Sequence, residues 1–298
     1  MKKSKKIVAV GSIAFDTIET PNGVKNSLLG GSATYFGIAS SYYTKTHLIG
    51  VVGTDFSNNE WRIFKERNIN IDSIEVVKGN TFSWAGKYNT DYSKRDTLFT
   101  KLGVFKNFKP NITQDIQSPI LYLGNIQPEL QFNVIEQIKN PYLIAADSMN
   151  LWIDLFPKDV WKLISKIDIL FLNEEEAIQL TGNNNMKEII EKILNVGPNT
   201  VIIKLGSKGA LLATKNNKTY ISVVPDTSVI DPTGAGDSFA GGTLGYIAKH
   251  GLHNIIEAVK HGTVIASYTV SNFGINNLCN IENEDFNKKL SLIKIKDF

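Results

Sequence analysis

The stretch DPTGAGDSFAGG, residues 231–242, decides how this chain is read. Glycine lets backbone N–H groups come close to a ligand, and N–H groups gathered at a helix start favour an anion. A carboxylate, Asp237, stands in the middle of the run and would repel that anion unless it has chemistry to perform there. Beyond it the pattern turns helical, with Phe239, Thr243, Tyr246 and Ile247 on one face. Gly241, Gly242 and Gly245 weaken that helix and imply close packing against a neighbour. Gly234, Ala235 and Gly236 therefore lie where a loop enters a helix. Their amides can converge on one point and hold negative charge developing on a transferring group. Asp237 is then suited to accept the proton of an attacking hydroxyl, its repulsion relieved if a metal shares the site. Taken alone, the string also fits a glycine-rich turn with Asp237 as a helix-capping group. It is neither Gly-x-Gly-x-x-Gly nor Gly-x-x-x-x-Gly-Lys-Ser/Thr, which excludes the dinucleotide fingerprint and the P-loop.

Outward from this stretch, short β-branched runs alternate with helical patterns. KIVAVG (6–11), HLIGVVG (47–53), PILYLGN (119–125), YLIAAD (142–147), IDILFLN (167–173) and TVIIKLG (200–206) read as buried strands. Near-continuous apolar runs of this length suit a parallel sheet covered on both faces. Between them, 57–68 sets Trp61, Ile63 and Phe64 along one side, and 128–140 repeats Leu130, Val134 and Ile138 every four residues. The alternation predicts an α/β fold: a doubly wound, mostly parallel sheet flanked by helices on both faces. Residues 75–105 carry alternation and turn signals without a helix, and 11–23 look similar. Segments of about 11–30 and 75–105 are expected to form a small antiparallel β lid inserted in a single domain spanning 1–298, since ligand sites in open sheets lie at strand C-terminal ends and often need a cover.

The 298 residues are 42% apolar and 20% charged, enough for a sizeable core, with a net charge of +3. Lysines 2, 3, 5 and 6 of MKKSKK read as a solvated tail, and no other Lys/Arg cluster suggests a nucleic-acid binder. Cys279 is the only cysteine, so an intrachain disulfide is impossible and a reducing compartment is expected. With no apolar run of 18 residues and no signal-peptide core, the expected location is the cytoplasm.

At essentially every defining position, DPTGAGDSFAGG resembles the C-terminal signature of the ribokinase-like, or PfkB, carbohydrate kinases. The resemblance implies that Asp237 is the catalytic base and that the amides of Gly234, Ala235 and Gly236 form the anion hole. Other motifs agree in the family's order along nearly the whole chain. VGSIAFD (10–16) resembles the opening strand that ends in a sugar-binding aspartate, here Asp16. LGGSATYFGIASS (29–41) resembles the N-terminal signature, with Gly30 and Gly31 against the sugar and Ser32 suited to cap the next helix. Tyr35 stands where many members carry asparagine, which makes it either an aromatic wall of the substrate pocket or core. FLNEEEAIQLTG (171–182) matches the Asn-x-x-Glu element that organises Mg²⁺ and phosphates, largely through water: Asn173 and Glu176. The same two residues also make a capping box. IIKLGSKGALL (202–212) resembles the nucleotide-side turn, with Lys204, Gly206, Ser207 and Gly209 near ATP, although an ordinary hairpin reads the same way. HGTVIASYTVSNFG (261–274) resembles the helix and loop beside the adenine, bringing in Gly262 and Asn272. An optional monovalent cation such as K⁺ would involve Asp231 and Thr233.

The expected activity is transfer of a phosphoryl group from ATP, with Mg²⁺, to a hydroxyl of a sugar or sugar-like molecule. A nucleoside acceptor would use aromatic side chains such as Phe36, Phe82, Trp84 and Trp152. A phosphosugar would use lid cations among Lys87, Lys94, Arg95 and Lys101. Lid sheets in this family often pair between subunits, which makes a homodimer plausible. Competing readings are a non-catalytic sugar-binding module and an esterase with Ser238 as nucleophile. The latter needs a nearby histidine, and none of the four, His47, His250, His253 and His261, is suitably arranged.

Overall fold

The computed structural model describes residues 4–112 and 116–298. Residues 1–3 of the basic run lie outside the described residues. Lys5 is not a free tail residue: its N–H donates to the Ala248 carbonyl (2.9 Å), and its ammonium lies over the Tyr142 ring, 3.9 Å from the centroid.

The first part of the chain runs β1 (Ile7–Val10), β2 (Ala14–Thr20), β3 (Gly23–Gly30), α1 (Ser32–Ser41), β4 (Thr46–Gly53), α2 (Asn58–Lys65), β5 (Ile69–Val77), β6 (Phe82–Tyr88) and β7 (Arg95–Lys101). It continues β8 (Ile120–Leu123), α3 (Pro128–Gln137), β9 (Leu143–Asp147), α4 (Asn150–Leu155), α5 (Pro157–Ile164), β10 (Ile169–Asn173), α6 (Glu174–Thr181), α7 (Met186–Leu194) and β11 (Thr200–Lys204). The last part holds β12 (Ala210–Thr214), β13 (Lys218–Ile221), α8 (Ala235–His250), α9 (Ile255–Val270), α10 (Asn283–Leu292) and β14 (Ile295–Asp297).

A ten-stranded sheet has the order β14-β13-β12-β11-β10-β9-β8-β1-β4-β5. The six apolar runs read from the sequence are all here as parallel strands, with β12, β13 and β14 added antiparallel at one edge. Alternate residues of each strand face opposite cores. Val8 and Val10 join one that includes Val134, Leu163, Ala177 and Ile190 from α3, α5, α6 and α7. Ile7 and Ala9 join the other, with Phe36, Leu244, Ile265 and Phe286 from α1, α8, α9 and α10. Each fully buried aliphatic or aromatic side chain stabilises the fold by roughly 1.5–3 kcal/mol.

The edge strand β5 pairs parallel with β4. Residues 75–77, grouped with the lid on sequence, therefore belong to the large sheet. Only Ile69 and Ile74 of β5 are buried, so it carries no clean strand pattern. The lid itself is a second sheet, ordered β3-β2-β6-β7. It is mixed rather than antiparallel, because β2 runs parallel to β6, from Ala14↔Phe82 to Glu19↔Lys87. The reason is topological. β2 follows β1 and β6 follows β5, so both leave the same edge of the large sheet in the outward direction, and each turns back through its own hairpin. At the root of the second hairpin, Thr81 donates from N and Oγ1 to Asp55 Oδ1 (2.8 and 2.6 Å), and Gly53 N donates to Thr81 Oγ1 (2.9 Å).

From β1 the chain moves outward to β4 and β5, then returns with β8 on the other side of β1 and continues to β11. The reversal lies between β1 and β8, and such switch points are where open α/β sheets bind ligands, beyond the strand C-termini. Among the described residues, no helix is long and apolar enough to cross a membrane.

Candidate active site

The glycine-rich run leads directly into α8, which packs between α1 and α9. Side chains at three glycines would collide with neighbours: Gly241 with Ala39 Cβ at 2.7 Å, Gly242 with Ile265 at 2.8 Å and Gly245 with Tyr43 at 2.6 Å. The close packing expected of them is present. Gly234 is the N-cap, in the left-handed region (φ +74°), and no side chain caps the helix. Asp237 is the acidic residue of the first turn, so it also suits the positive end of the helix. Of the three amides, that of Ala235 donates to the Pro232 carbonyl at 3.2 Å. Gly234 and Gly236 make no such bond among the described residues, so these two N–H groups form the open part of the cluster. Asp237, in the first turn of α8, has its carboxyl pushed up to about 7 by burial and by repulsion from Asp147, with Lys204 and Arg95 acting in the opposite direction.

Asp16 of β2 turns into the same region. Its carboxylate is buried and accepts the Gly31 N–H; burial pushes it up to about 7, with repulsion from Asp231 and Asp237 adding to the rise. A Cβ on Gly30 would overlap this carboxylate. Glycine at 30 therefore makes room for Asp16 itself, and Gly31, at φ +90°, caps α1. Ser32 does not cap that helix as expected. It is the first helical residue, and its Oγ accepts from Ser12 N while its own N donates to Ser12 Oγ, both at 3.1 Å. That exchange fixes the exit of β1 against α1.

Tyr35 lies beneath the glycine-rich loop, 1% exposed, with its ring where a Cβ on Gly234 would stand. Its hydroxyl has no hydrogen-bond partner among the described residues. Phe36 is stacked on Tyr122 at 3.8 Å, inside the core. Trp152 donates to Asn125 Oδ1 (2.9 Å), and Phe82 packs on Phe105. Trp84 stays on the lid, with the Arg95 guanidinium 5.0 Å from its ring centroid. Arg95 also hydrogen-bonds Tyr88, whose hydroxyl meets Thr233 Oγ1 at 3.1 Å. The lid thus touches the glycine-rich loop directly.

Asn173 and Glu176 form the capping box anticipated from their spacing. Asn173 Oδ1 accepts Glu176 N and Glu176 Oε2 accepts Asn173 N, both at 2.8 Å. Burial pushes Glu176 up to about 7, against the attraction of Lys204. A buried carboxylate so poorly compensated suits a cation. Among the described residues no three His, Cys, Asp or Glu side chains converge as an ion cage. Mg²⁺ is usually held by one or two carboxylates together with phosphates and water, and Glu176 is one carboxylate of that kind.

Lys204 ends β11 and pairs with Asp147 at the end of β9, Nζ to Oδ2 2.7 Å. Burial pulls its ammonium down, but Asp147 and Glu176 outweigh this and hold it charged. Sequence reading missed Asp147. The available signal was a carboxylate closing the apolar strand YLIAAD, at the sheet edge where ligands collect.

The remaining expected residues divide. Gly206 (φ +58°) faces open space. Gly209 abuts the Ile221 carbonyl, so its glycine is required by the β-hairpin packing. Gly262 meets Thr243 and the Phe239 carbonyl of α8, so the close approach there is between helices. Asn272 donates to Asn277 Oδ1 (3.0 Å) and accepts Phe273 N (2.8 Å), holding a turn. Asp231 is buried and accepts Thr233 N (2.9 Å) and Gly274 N (3.0 Å), bracing the loop that leads to Gly234. Ser238 is fully buried, and among the described residues its Oγ has no partner, histidine included.

A family model described as pfkB family carbohydrate kinase matches residues 4–283. A cytidine kinase of Thermococcus kodakarensis is 26% identical over 278 residues, covering 90% of this chain and 97% of that protein. A nucleoside kinase of Methanocaldococcus jannaschii is 24% identical over 283 residues, covering 90% and 91%. The solved structure of a nucleoside kinase from that organism superposes with a TM-score of 0.79 at 24% identity, over 97% of this chain and 99% of that one. A ribokinase of Arabidopsis thaliana, solved with ribose and ATP, has a TM-score of 0.77 at 21% identity, over 97% and 99%.

Proposed function

Because this chain belongs to the pfkB family of carbohydrate kinases, a family of phosphotransferases with alcohol acceptors, we propose that it transfers the γ-phosphoryl group of ATP to a hydroxyl of a nucleoside. The observation that carries the reading is Asp237 in the first turn of α8, next to the open Gly234 and Gly236 amides, with Asp147 and Lys204 from the C-terminal ends of β9 and β11 acting on its carboxyl. Phosphoryl transfer needs mostly positioning and charge stabilisation, and these groups are of the right kind. Asp237 takes the proton of the attacking hydroxyl. The two amides hold the charge that develops on the phosphoryl oxygens. Asp16 accepts hydrogen bonds from acceptor hydroxyls, and the Trp84 and Arg95 side of the lid covers them. Asn173 and Glu176 would hold Mg²⁺ through water, and the ion would supply neutralising charge for the phosphates. An optional monovalent cation would lie by Asp231 and Thr233.

The nucleoside choice is supported by the cytidine and nucleoside kinases among the relatives. Electrostatics weigh against a phosphosugar. Of the lid cations, Lys87 is paired with Glu19 at 2.6 Å, Lys101 lies over Phe99, and Arg95, next to Lys94, acts on the acidic groups. A second dianion would meet Asp16, Asp231 and Asp237 with little to offset them. The half-buried Cys279 supports a cytoplasmic setting. Exposed Leu98 and Phe99 on β7 and Leu102 after it support a homodimer joined through the lids.

ADP release with ATP and Mg²⁺ against cytidine, adenosine, inosine, ribose, fructose and fructose 6-phosphate tests the reading. A nucleoside should give the highest kcat/KM. Preference for fructose 6-phosphate, or no ADP with any acceptor, overturns it.

A further inference from the structure

The Asp147–Lys204 pair is costly to bury. Its side chains are 5% and 19% exposed, and a buried ion pair is commonly no better for stability than apolar residues of the same volume. It also spans the sheet edge. Asp147 aligns with Phe171 of β10, whereas Lys204 aligns with Asn173, so the lysine reaches back across the end of β10 to a strand two places away, roughly 10 Å at normal strand spacing. That path takes it past the glycine-rich loop. A Cβ on Gly236 would lie 3.1 Å from Lys204 Nζ and 3.7–3.8 Å from its Cδ and Cε. Gly236 does not have a positive φ, so its glycine is explained by space for this lysine rather than by backbone conformation.

Asp147 is itself braced. Its Oδ1 accepts Ser148 N (2.9 Å), and its carbonyl accepts the Gln131 side-chain amide (3.2 Å), which also donates to the Gly124 carbonyl at the end of β8 (2.9 Å). Among the described residues the ammonium donates one of its three protons, to Asp147 Oδ2, which leaves two for another acceptor.

We propose that Lys204 is a catalytic cation contacting the transferring phosphoryl group beside the Gly234 and Gly236 amides, and that Asp147 is the positioning residue that aims it. The inference rests on the kinase reading for the identity of the anion. It adds a division of labour: Asp147 touches no reactant, and it acts on the phosphoryl group through Lys204 and otherwise only by repelling Asp237, so well above pH 7, where Asp237 is ionised with or without it, removing Asp147 should have no effect once Lys204 is gone.

The test is a double-mutant cycle on the full chain with Lys204→Met, Asp147→Asn and the pair together. With ATP, Mg²⁺ and the best acceptor, Lys204→Met should lower kcat at least about 100-fold, and Asp147→Asn roughly 10-fold. Acceptor KM should stay within a factor of about three in both, because the lysine meets the phosphoryl group of the donor and not the acceptor. The double variant should match Lys204→Met. Wild-type kcat in Asp147→Asn, losses confined to acceptor KM, or a double variant reduced by the product of the single factors would overturn the assignment.

Binding of the non-hydrolysable analogue AMP-PNP with Mg²⁺, measured by calorimetry, is read in parallel and needs no acceptor. Both single variants should weaken it, and the double no more than Lys204→Met; additive losses overturn the proposal. A wild type that binds the analogue but releases no ADP fails the kinase reading alone, and the binding cycle still decides this one. If Lys204→Met does not fold because Asp147 is left unpaired, Lys204→Gln, which keeps a hydrogen-bond donor for Asp147 but carries no charge, takes its place. It should reproduce the loss of kcat and of analogue binding, and unchanged values would overturn the role of Lys204.

Discussion

The ring of Tyr35 lies against Gly234, in the space any Cβ at 234 would occupy. The left-handed cap of α8 thus rests on an aromatic floor supplied by α1. Two separate constraints make position 234 glycine: its φ of +74° and the ring beneath it. Gly234→Ala should cost about 1–2 kcal/mol in backbone strain alone, with the steric overlap in addition. Thermal melting should fall by at least about 2 °C, with most turnover lost. Adding Tyr35→Ala should not restore the melting temperature, because the backbone strain remains and a core cavity is created. Full recovery would show that the floor is not where the strain lies. Tyr35→Phe keeps the ring and removes an unpartnered buried hydroxyl, whose desolvation costs roughly 1–3 kcal/mol, so it should melt no lower than wild type.

Asp237→Asn should lower kcat by at least about 100-fold and leave the melting temperature unchanged or raised, since a poorly solvated charge is removed. ADP release and a thermal melt check both. Near-normal turnover would remove Asp237 from the role of base.

Activity should depend on pH through the same group. The base works deprotonated, and burial together with Asp147 raises it to about 7. The kcat/KM profile should therefore rise with pH to a limb near 7 and fall about tenfold per unit below it. Asp16 and Glu176 are raised into the same range, so the limb reports the acidic set and is at least as steep as one proton. A limb at pH 4, the ordinary aspartate range, would mean that Asp237 is not held in this environment during turnover.

Tyr88→Phe removes the hydroxyl that joins the lid to Thr233. A single net hydrogen bond of about 0.5–1.5 kcal/mol predicts acceptor KM raised roughly 2- to 10-fold, with kcat largely retained. An unchanged KM would mean that this contact is absent when the acceptor is bound.

The large sheet was legible because each of its central strands is an unbroken apolar run, and burial on both faces leaves no other pattern for such a run. Edge and lid strands were less so. β5 buries only Ile69 and Ile74, and the seven residues of β7 are all exposed, so neither shows a face. The parallel pairing of β2 with β6 joins residues 68 apart and has no local signature. The place of Asp237 in the first turn of α8 and the Asn173–Glu176 box were readable because both follow from helix-start patterns in the sequence. Asp147 was not, because its partner lies 57 residues away and only the sheet brings them together. Gly262 and Gly209 carried a true signal of close approach, but sequence cannot say whether the approaching surface is a ligand or the chain itself.

The knot at Asp55, Thr81 and Gly53 ties the second hairpin to the end of β4, while its outer strand β7 is secured on one side only. Any opening of the cover must then be graded, small at the base and largest at the rim. Arg95, which starts that outer strand, would arrive last over a bound acceptor, so the order in which contacts form is written into the way the hairpin is hung.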